Sequence, residues 1–392
     1  MSALRNATAL IGLCLAGCAA IVPLDHAVVA YDMTTAENVE RQLLLNIARA
    51  RNNQPIHFTA VSSIAATYRV TTSAGIGPAL TGNSGGLVVP ILGTSAESSP
   101  TISIAPMQGD EFTQRLLTPF RETQLTLLLR QGYDVDSLLR LLGAEFRLDR
   151  DGTGAATIHK NRPSDREGYQ TFRRVVAHLS AIQDQHALYV EPLHFTHTWK
   201  VAEALVTPET YASTYKDFTM FHDAAEHIYQ VSRRINGRVM ITNYDPDILS
   251  NEERLRLHQK AEEAPYNDIL IDIRAGQAGG EFPIHGRLRL RSFHEVLTFI
   301  GRGISEEPEF DVAPDPRTPR ITENPRSTLE ILESHQPPPD RRVAARFNDY
   351  YYAVQPQTGY QWNQKTFAVL YQLFQMSVSS VAPAGPSITI AK

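Results

Sequence analysis

Cysteine is nearly absent from this chain. Its 392 residues contain two, Cys14 and Cys18. No thiol pair remains beyond them, so a disulfide framework and a thiolate zinc site are both excluded, and stability must come from buried apolar area. Charge of one sign is also lacking. The 37 Lys and Arg against 42 Asp and Glu give a net charge of −5, with no polybasic segment. That balance argues against nucleic acid or a broad anionic surface as the main partner. No P-loop, dinucleotide fingerprint, EF-hand loop or serine–lysine pattern appears, and no metal or cofactor is expected. What is present is ordinary for a folded protein, with 42% hydrophobic and 20% charged residues.

The N-terminus carries the most specific pattern. Arg5 precedes a short apolar run from Ala7 to Leu15, followed by Ala16, Gly17 and Cys18. A run of about ten residues has the length of a signal-peptide apolar region and is too short to span a bilayer. Small residues before Cys18 suit a peptidase, and the thiol can accept a lipid. Leu15-Ala16-Gly17-Cys18 resembles the lipobox of bacterial lipoproteins. The resemblance implies that residues 1–17 are a removed signal and that Cys18 is the acylated first residue. It further implies, through Ala19 rather than Asp at the next position, an outer-membrane destination. Two or three acyl chains would hold the protein firmly, since each buried methylene is worth about 0.8 kcal/mol.

The pattern of the remaining chain predicts an α+β protein, with helical segments and a long β-hairpin in the N-terminal half and a mixed α/β region in the C-terminal half. Residues 18–33 read as a tether. Region 34–160 is helical with an inserted hairpin at 60–106, opening on a helix that Thr34 and Glu37 would cap. Three short amphipathic helices follow between Gly109 and Arg150. In region 161–304, Ser164 and Glu167, Ser250 and Glu253, and Ser292 and Glu295 each have capping-box spacing. Asn236-Gly237 predicts a two-residue hairpin turn between strands 228–232 and 238–242. Residues 269–273 and 284–290 read as strands. Residues 305–342 hold eight prolines and clustered charge, and are expected as a linker or long loop with a short helix near Ser327 to Leu332. Residues 343–392 read as strand, helix and edge strand.

The hairpin has an unusual composition. Between Val70 and Gly109 the only charge is Glu97. Ile64, Ala66, Tyr68, Val70, Thr72, Ala74 and Ile76 alternate with small, mostly polar residues, and Ile102 and Ile104 continue the alternation on the return. Thirteen alternating residues exceed the nine to eleven of a tilted membrane strand. A lone hairpin cannot sit in lipid with unpaired edges, so insertion requires copies from other protomers to close a barrel. The rival expectation is a long hairpin packed on a soluble body.

Other candidates are weaker. Gly82-Asn83-Ser84-Gly85-Gly86 fits G-x-S-x-G, but a nucleophile elbow needs a buried strand before the serine and a helix after it. His194 and His197 lie three apart in a run that reads as extended, where such positions point oppositely. His222 and His227, with Asp223 and Glu226, lack the His-Glu-x-x-His spacing of a zinc helix. Asp245-Pro246-Asp247 fits a helix entry better than an acid pair, and Tyr350 to Tyr352 with Trp362 fits a packed strand better than a sugar platform.

Three stretches, Glu37 to Ile47 with Val61 to Ile64, Pro100 to Phe112 with Arg115 to Pro119, and Lys365 to Phe374, resemble a group of uncharacterised proteobacterial lipoproteins. That likeness implies localisation and no chemistry. The resulting expectation is a non-enzymatic, lipid-anchored outer-membrane protein facing the periplasm, held through acylated Cys18. Its role would be structural or in assembly, as a homo-oligomer or part of an envelope complex for export. The alternative is an envelope hydrolase or ligand-binding module using His194 and His197 or His222 and His227.

Overall fold

A helix of 31 residues, α1 (Ile21–Arg51), leads into the body of the protein. The structure is a computed structural model that describes residues 21–76, 90–149, 156–214, 217–340, 342–357, 361–377 and 388–391. Leu43, Leu44 and Ile47 are fully buried, whereas Val29 and Met33 are exposed, so only the C-terminal half of α1 joins the core. The helix starts well before the expected cap. Thr34 lies inside it and donates to the Ala30 carbonyl four residues back at 2.7 Å, the back-bond a hydroxyl makes in a helix interior. Residues 21–33, expected as a tether, are therefore helical.

Two strands follow, β1 (Phe58–Ile76) and β2 (Pro90–Met107), and form one antiparallel hairpin. Three short helices, α2 (Asp110–Leu117), α3 (Glu122–Arg130) and α4 (Val135–Leu142), occupy the expected places. They lead to a seven-stranded sheet. Its strands are β3 (Gly143–Asp149), β4 (Ala156–Lys160), β5 (Tyr189–Ala202), β6 (Thr219–Asp223), β7 (Ile228–Thr242), β8 (Asp268–Ile273) and β9 (Ile284–Leu290). The order is β4-β3-β9-β8-β7-β5, with β6 also on β7. All pairs are antiparallel except β7 with β8, which α7 (Asn251–Glu262) joins as a parallel crossover. A short helix, α6 (Pro208–Thr214), precedes β6.

The central strand explains its own sequence. Asp-Ile-Leu-Ile-Asp-Ile is buried throughout β8 because both faces are covered. Ile269, Ile271 and Ile273 join the main core, and Leu270 joins Leu193, Met240 and Ala261 in a second, smaller one under α7. Helix α5 (Arg166–Asp184) lays Phe172, Val175, Val176, Leu179 and Ile182 on the main core, each worth about 1.5–3 kcal/mol when fully buried. Helix α8 (Phe293–Gly303) does the same with Phe293, Val296, Leu297 and Ile300. Ser292 and Glu295 form its capping box, and Ser250 caps α7, as the spacing predicts. At α5 the cap is Asp165, which accepts from the Gly168 amide, and not Ser164.

The predicted Asn236-Gly237 turn is corrected. Strand β7 continues through both residues, with Asn236 paired to His194 and pairing with β5 resuming at Val239 opposite Pro192. The register shifts between Pro192 and His194, which makes a bulge there. Gly237 is needed for close approach. A Cβ at this position would stand 2.8 Å from His258 Nδ1 on α7 and 3.0 Å from the Phe195 ring. The actual turn joins β6 to β7, where Asp223 Oδ1 accepts the Ala225 and Glu226 amides.

The proline-rich segment 305–342 is irregular, as a long loop would be, but it is laid on the body. Val312 and Leu329 are buried, and so is Glu309. The short helix expected near 327–332 is absent, since residues Ile331–Ser334 form strand β10. With β11 (Ala344–Phe347) and β12 (Tyr350–Val354) it makes a small sheet ordered β10-β12-β11. Helix α9 (Trp362–Ser377) and strand β13 (Ile388–Ala391) complete the chain, and β13 pairs with β2.

Candidate functional site

The hairpin is the most distinctive element, and its base shows how it is held. Phe58 is fully buried, with ring centroids 4.7 Å from Phe374 and 6.2 Å from Phe293. Met107 and Ala105 are buried beside it on the return strand. Two amides of α1 then cover the first edge groups of the hairpin. Asn46 donates to the His57 carbonyl at 2.8 Å and accepts the His57 amide at 2.9 Å, and Gln42 accepts the Thr59 amide at 2.7 Å. These contacts copy what a neighbouring strand would offer.

Beyond the base the register runs from Phe58 opposite Met107 to Ile76 opposite Pro90. At about 3.4 Å per residue each strand is about 60 Å long, roughly twice what a membrane strand needs. A bulge between Val61 and Ser63 shifts the register, after which Ile64 stands opposite Ile102, Tyr68 opposite Ser98, Val70 opposite Ala96, and Ala74 opposite Leu92. Each strand contains a single charge, Arg69 in β1 and Glu97 in β2, and the register sets them directly opposite each other. Seven uncharged rungs lie beyond that pair. The four-residue strand β13 covers β2 only at Thr101 to Ile104. Among the described residues, no further strand pairs with either outer edge toward the tip.

The histidine candidates separate into two places. His194 on β5 meets Asn236 Oδ1 at 2.9 Å, while His197 lies 5.5 Å from the Trp199 ring. His222 and His227 do come together, through Glu203, a residue that sequence spacing had not singled out. His222 Nε2 is 3.2 Å from one Glu203 oxygen and His227 Nδ1 is 3.0 Å from the other. Hydrogen bonding from His227, then the nearby His222, holds the Glu203 carboxyl below its usual range. The site is open to water, and among the described residues no group of three His, Cys, Asp or Glu is placed to hold a metal.

The remaining candidates are structural. Asp245 caps a 3-10 turn through the Asp247 amide. Tyr352 is buried in β12, and Trp362 donates to the Thr328 carbonyl at 2.9 Å beneath the Arg140 guanidinium. Ser84, its glycine motif and Cys18 lie outside the described residues.

A buried polar cluster, unmarked by any motif, fastens the proline-rich segment. Glu309 accepts from Tyr169 Oη at 2.7 Å and from the Thr328 hydroxyl at 2.8 Å, and Arg173 lies 3.7 Å away. Arg173 also donates to the Pro325 and Arg326 carbonyls. Arg140, with no exposed surface, donates to the Pro325 carbonyl at 2.6 Å and pairs with Asp136 at 3.0 Å. Burial, and next the Glu309 charge, push the Tyr169 hydroxyl up, so it remains a donor. Comparison with known protein families, curated proteins and solved structures returns no match.

Proposed function

We propose that this chain is a lipid-anchored protein of the bacterial outer membrane, facing the periplasm, whose role is assembly through hairpin 58–107. The observation that carries this reading is a hairpin about 60 Å long, with its two charges opposed on one rung and its outer edges unpaired toward the tip. An unpaired strand edge is a template for another strand, and proteins that do not use such an edge usually cover it. Among the described residues the cover lies at the base, with Gln42 and Asn46 on one edge and β13 on the other. The seven uncharged rungs beyond Arg69 and Glu97 rise about 24 Å, near the height of the apolar band of a membrane barrel. Identical hairpins from several protomers would satisfy each other's edges, which lipid demands and water merely permits.

The histidine-based rival has less support. His222 and His227 direct ring nitrogens at Glu203 on the surface, and His194 and His197 share no common partner.

The test is the particle mass of the mature protein in mild detergent, with and without residues 64–105. A large, defined ring that falls to monomers on deletion is expected. A second form, Val70→Arg with Ala74→Arg, should also stay monomeric, because an arginine facing lipid near the bilayer midplane costs about 2–4 kcal/mol. Monomers from the unaltered protein would overturn the proposal.

A further inference from the structure

A second region of the molecule, on the body and away from the hairpin, has the makings of a ligand site. A cleft of about 460 Å³ lies between the end of β4, strand β9 and the first turns of α8. That volume suits a small metabolite-sized molecule. Its walls are rich in cations, and most of the carboxylates are already engaged. Arg162 and Glu307 hold each other at 2.6 Å. Glu295 accepts the Ser292 amide in the α8 cap. Glu145 serves two guanidinium groups, Arg147 at 2.7 Å and Arg289 at 3.8 Å.

The floor is Arg291. It is buried, donates to the backbone carbonyls of Arg140, Leu141 and Asn161 and lies 3.9 Å from the Phe299 ring centroid, with no carboxylate paired to it among the described residues. Burial pulls its guanidinium down to about 10, which leaves it charged at neutral pH. A fixed buried cation whose nearby carboxylates, Glu295 and Glu309, are not in contact with it adds positive potential to the space it borders, strengthened by the low dielectric around it. The side chains of Lys160 and His294 also line this space and have no hydrogen bond or ion pair among the described residues.

One further atom points to a ligand. Asn161 is 3% exposed and lines the same cleft. Its side-chain nitrogen donates to the Arg140 and Gly143 carbonyls, which fixes the amide, but its Oδ1 has no partner. A buried acceptor left unsatisfied costs about 1–3 kcal/mol, so a donor belongs there. A fully ionised anion such as sulfate or a carboxylate cannot supply it, because its oxygens only accept.

We propose that this cleft binds a small anionic molecule with a neighbouring hydroxyl. The anionic group sits against Lys160, His294 and Arg289 above buried Arg291, and the hydroxyl donates to Asn161 Oδ1. A hydroxy-carboxylate and a phosphate ester share this chemistry.

Calorimetric titration of the full mature chain in detergent tests it with four probes: glycerate, glycerol 3-phosphate, sulfate and glycerol. Glycerate or glycerol 3-phosphate should bind about tenfold tighter than sulfate, the worth of one good hydrogen bond, and glycerol should not bind. If glycerate binds and glycerol 3-phosphate does not, the ligand is a carboxylate; the reverse makes it a phosphate ester. Lys160→Ala should weaken the preferred probe about tenfold or more without moving the melting temperature, since its ammonium is exposed and makes no contact in the fold. Equal binding of sulfate and the hydroxylated anions, no binding by any anion at 10 mM (about −2.7 kcal/mol), or a Lys160→Ala variant that binds like the parent would each overturn the proposal.

Discussion

Three residues set behaviour that can be measured one side chain at a time. His178 is fully buried on α5, with Nε2 2.8 Å from the Gly279 carbonyl and Nδ1 3.2 Å from the Thr318 hydroxyl. The carbonyl requires Nε2 to hold the proton, so the neutral ring fits both partners. Burial is the largest influence and pulls the imidazole below 6.5. The Gly279 carbonyl, Asp315 and Glu281 oppose it and Arg317 reinforces it. The unfolded chain therefore takes up a proton that the folded one refuses. Stability contributed by His178 is complete above about pH 6.5 and declines as pH falls. The urea midpoint should drop between pH 7 and pH 5, and His178→Gln should flatten that slope; an unchanged slope would show that the drop comes from elsewhere. Glu309 makes a different kind of demand, because Tyr169, Thr328 and Arg173 all depend on its carboxylate inside the protein. Glu309→Ala should cost about 3–5 kcal/mol and expose residues 305–330 to protease; an intact segment would mean that Pro325 and Arg326 suffice as anchors. Cys18 is the third. If Cys18 is the acyl acceptor that the proposed anchoring requires, Cys18→Ser should abolish a lipid-sized mass increase and release the protein from membranes, and an unchanged mass would overturn that anchoring.

Elements follow from local pattern where a face is apolar and depend on distant partners elsewhere. Helix α1 crosses α8 so closely that a Cβ on Gly301 would stand 2.8 Å from the Arg51 amide nitrogen and 2.9 Å from the Ile47 carbonyl. Backbone cannot move aside as a flexible side chain can. Gly301→Ala should cost about 1–3 kcal/mol by chemical denaturation, and a neutral result would mean that the two helices can separate. The α8 stripe and its Ser292 cap were legible in the sequence, as were β8, β9 and the three short helices, because periodicity and capping are local. The Asn236-Gly237 turn misled for the opposite reason. An Asn-Gly pair allows a turn, but β5 offers a longer strand partner and α7 needs the missing side chain. The proline-rich segment carried composition without periodicity, and its anchors, Arg140 and Arg173, lie over 130 residues upstream. The Lys160 and His294 cleft was invisible for the same reason, as was Glu203, which only the pairing of β5, β6 and β7 brings to His222.

At the scale of the whole molecule the α+β body and the hairpin differ in how they are stabilised. The body has a continuous core that gathers residues from α1 through α9. Among the described residues the hairpin is fixed at its base, by Phe58 and Met107 in that core, by Gln42 and Asn46 on one edge and by β13 on the other. Mechanically it is a beam clamped at its root. A tilt of about 5° at the clamp would move the end of a 60 Å arm by roughly 5 Å, about one interstrand spacing. Small adjustments in the packing of Phe58 against Phe293 and Phe374 thus become whole-strand displacements at the tip. The aromatic cluster is where such an arm would be aimed.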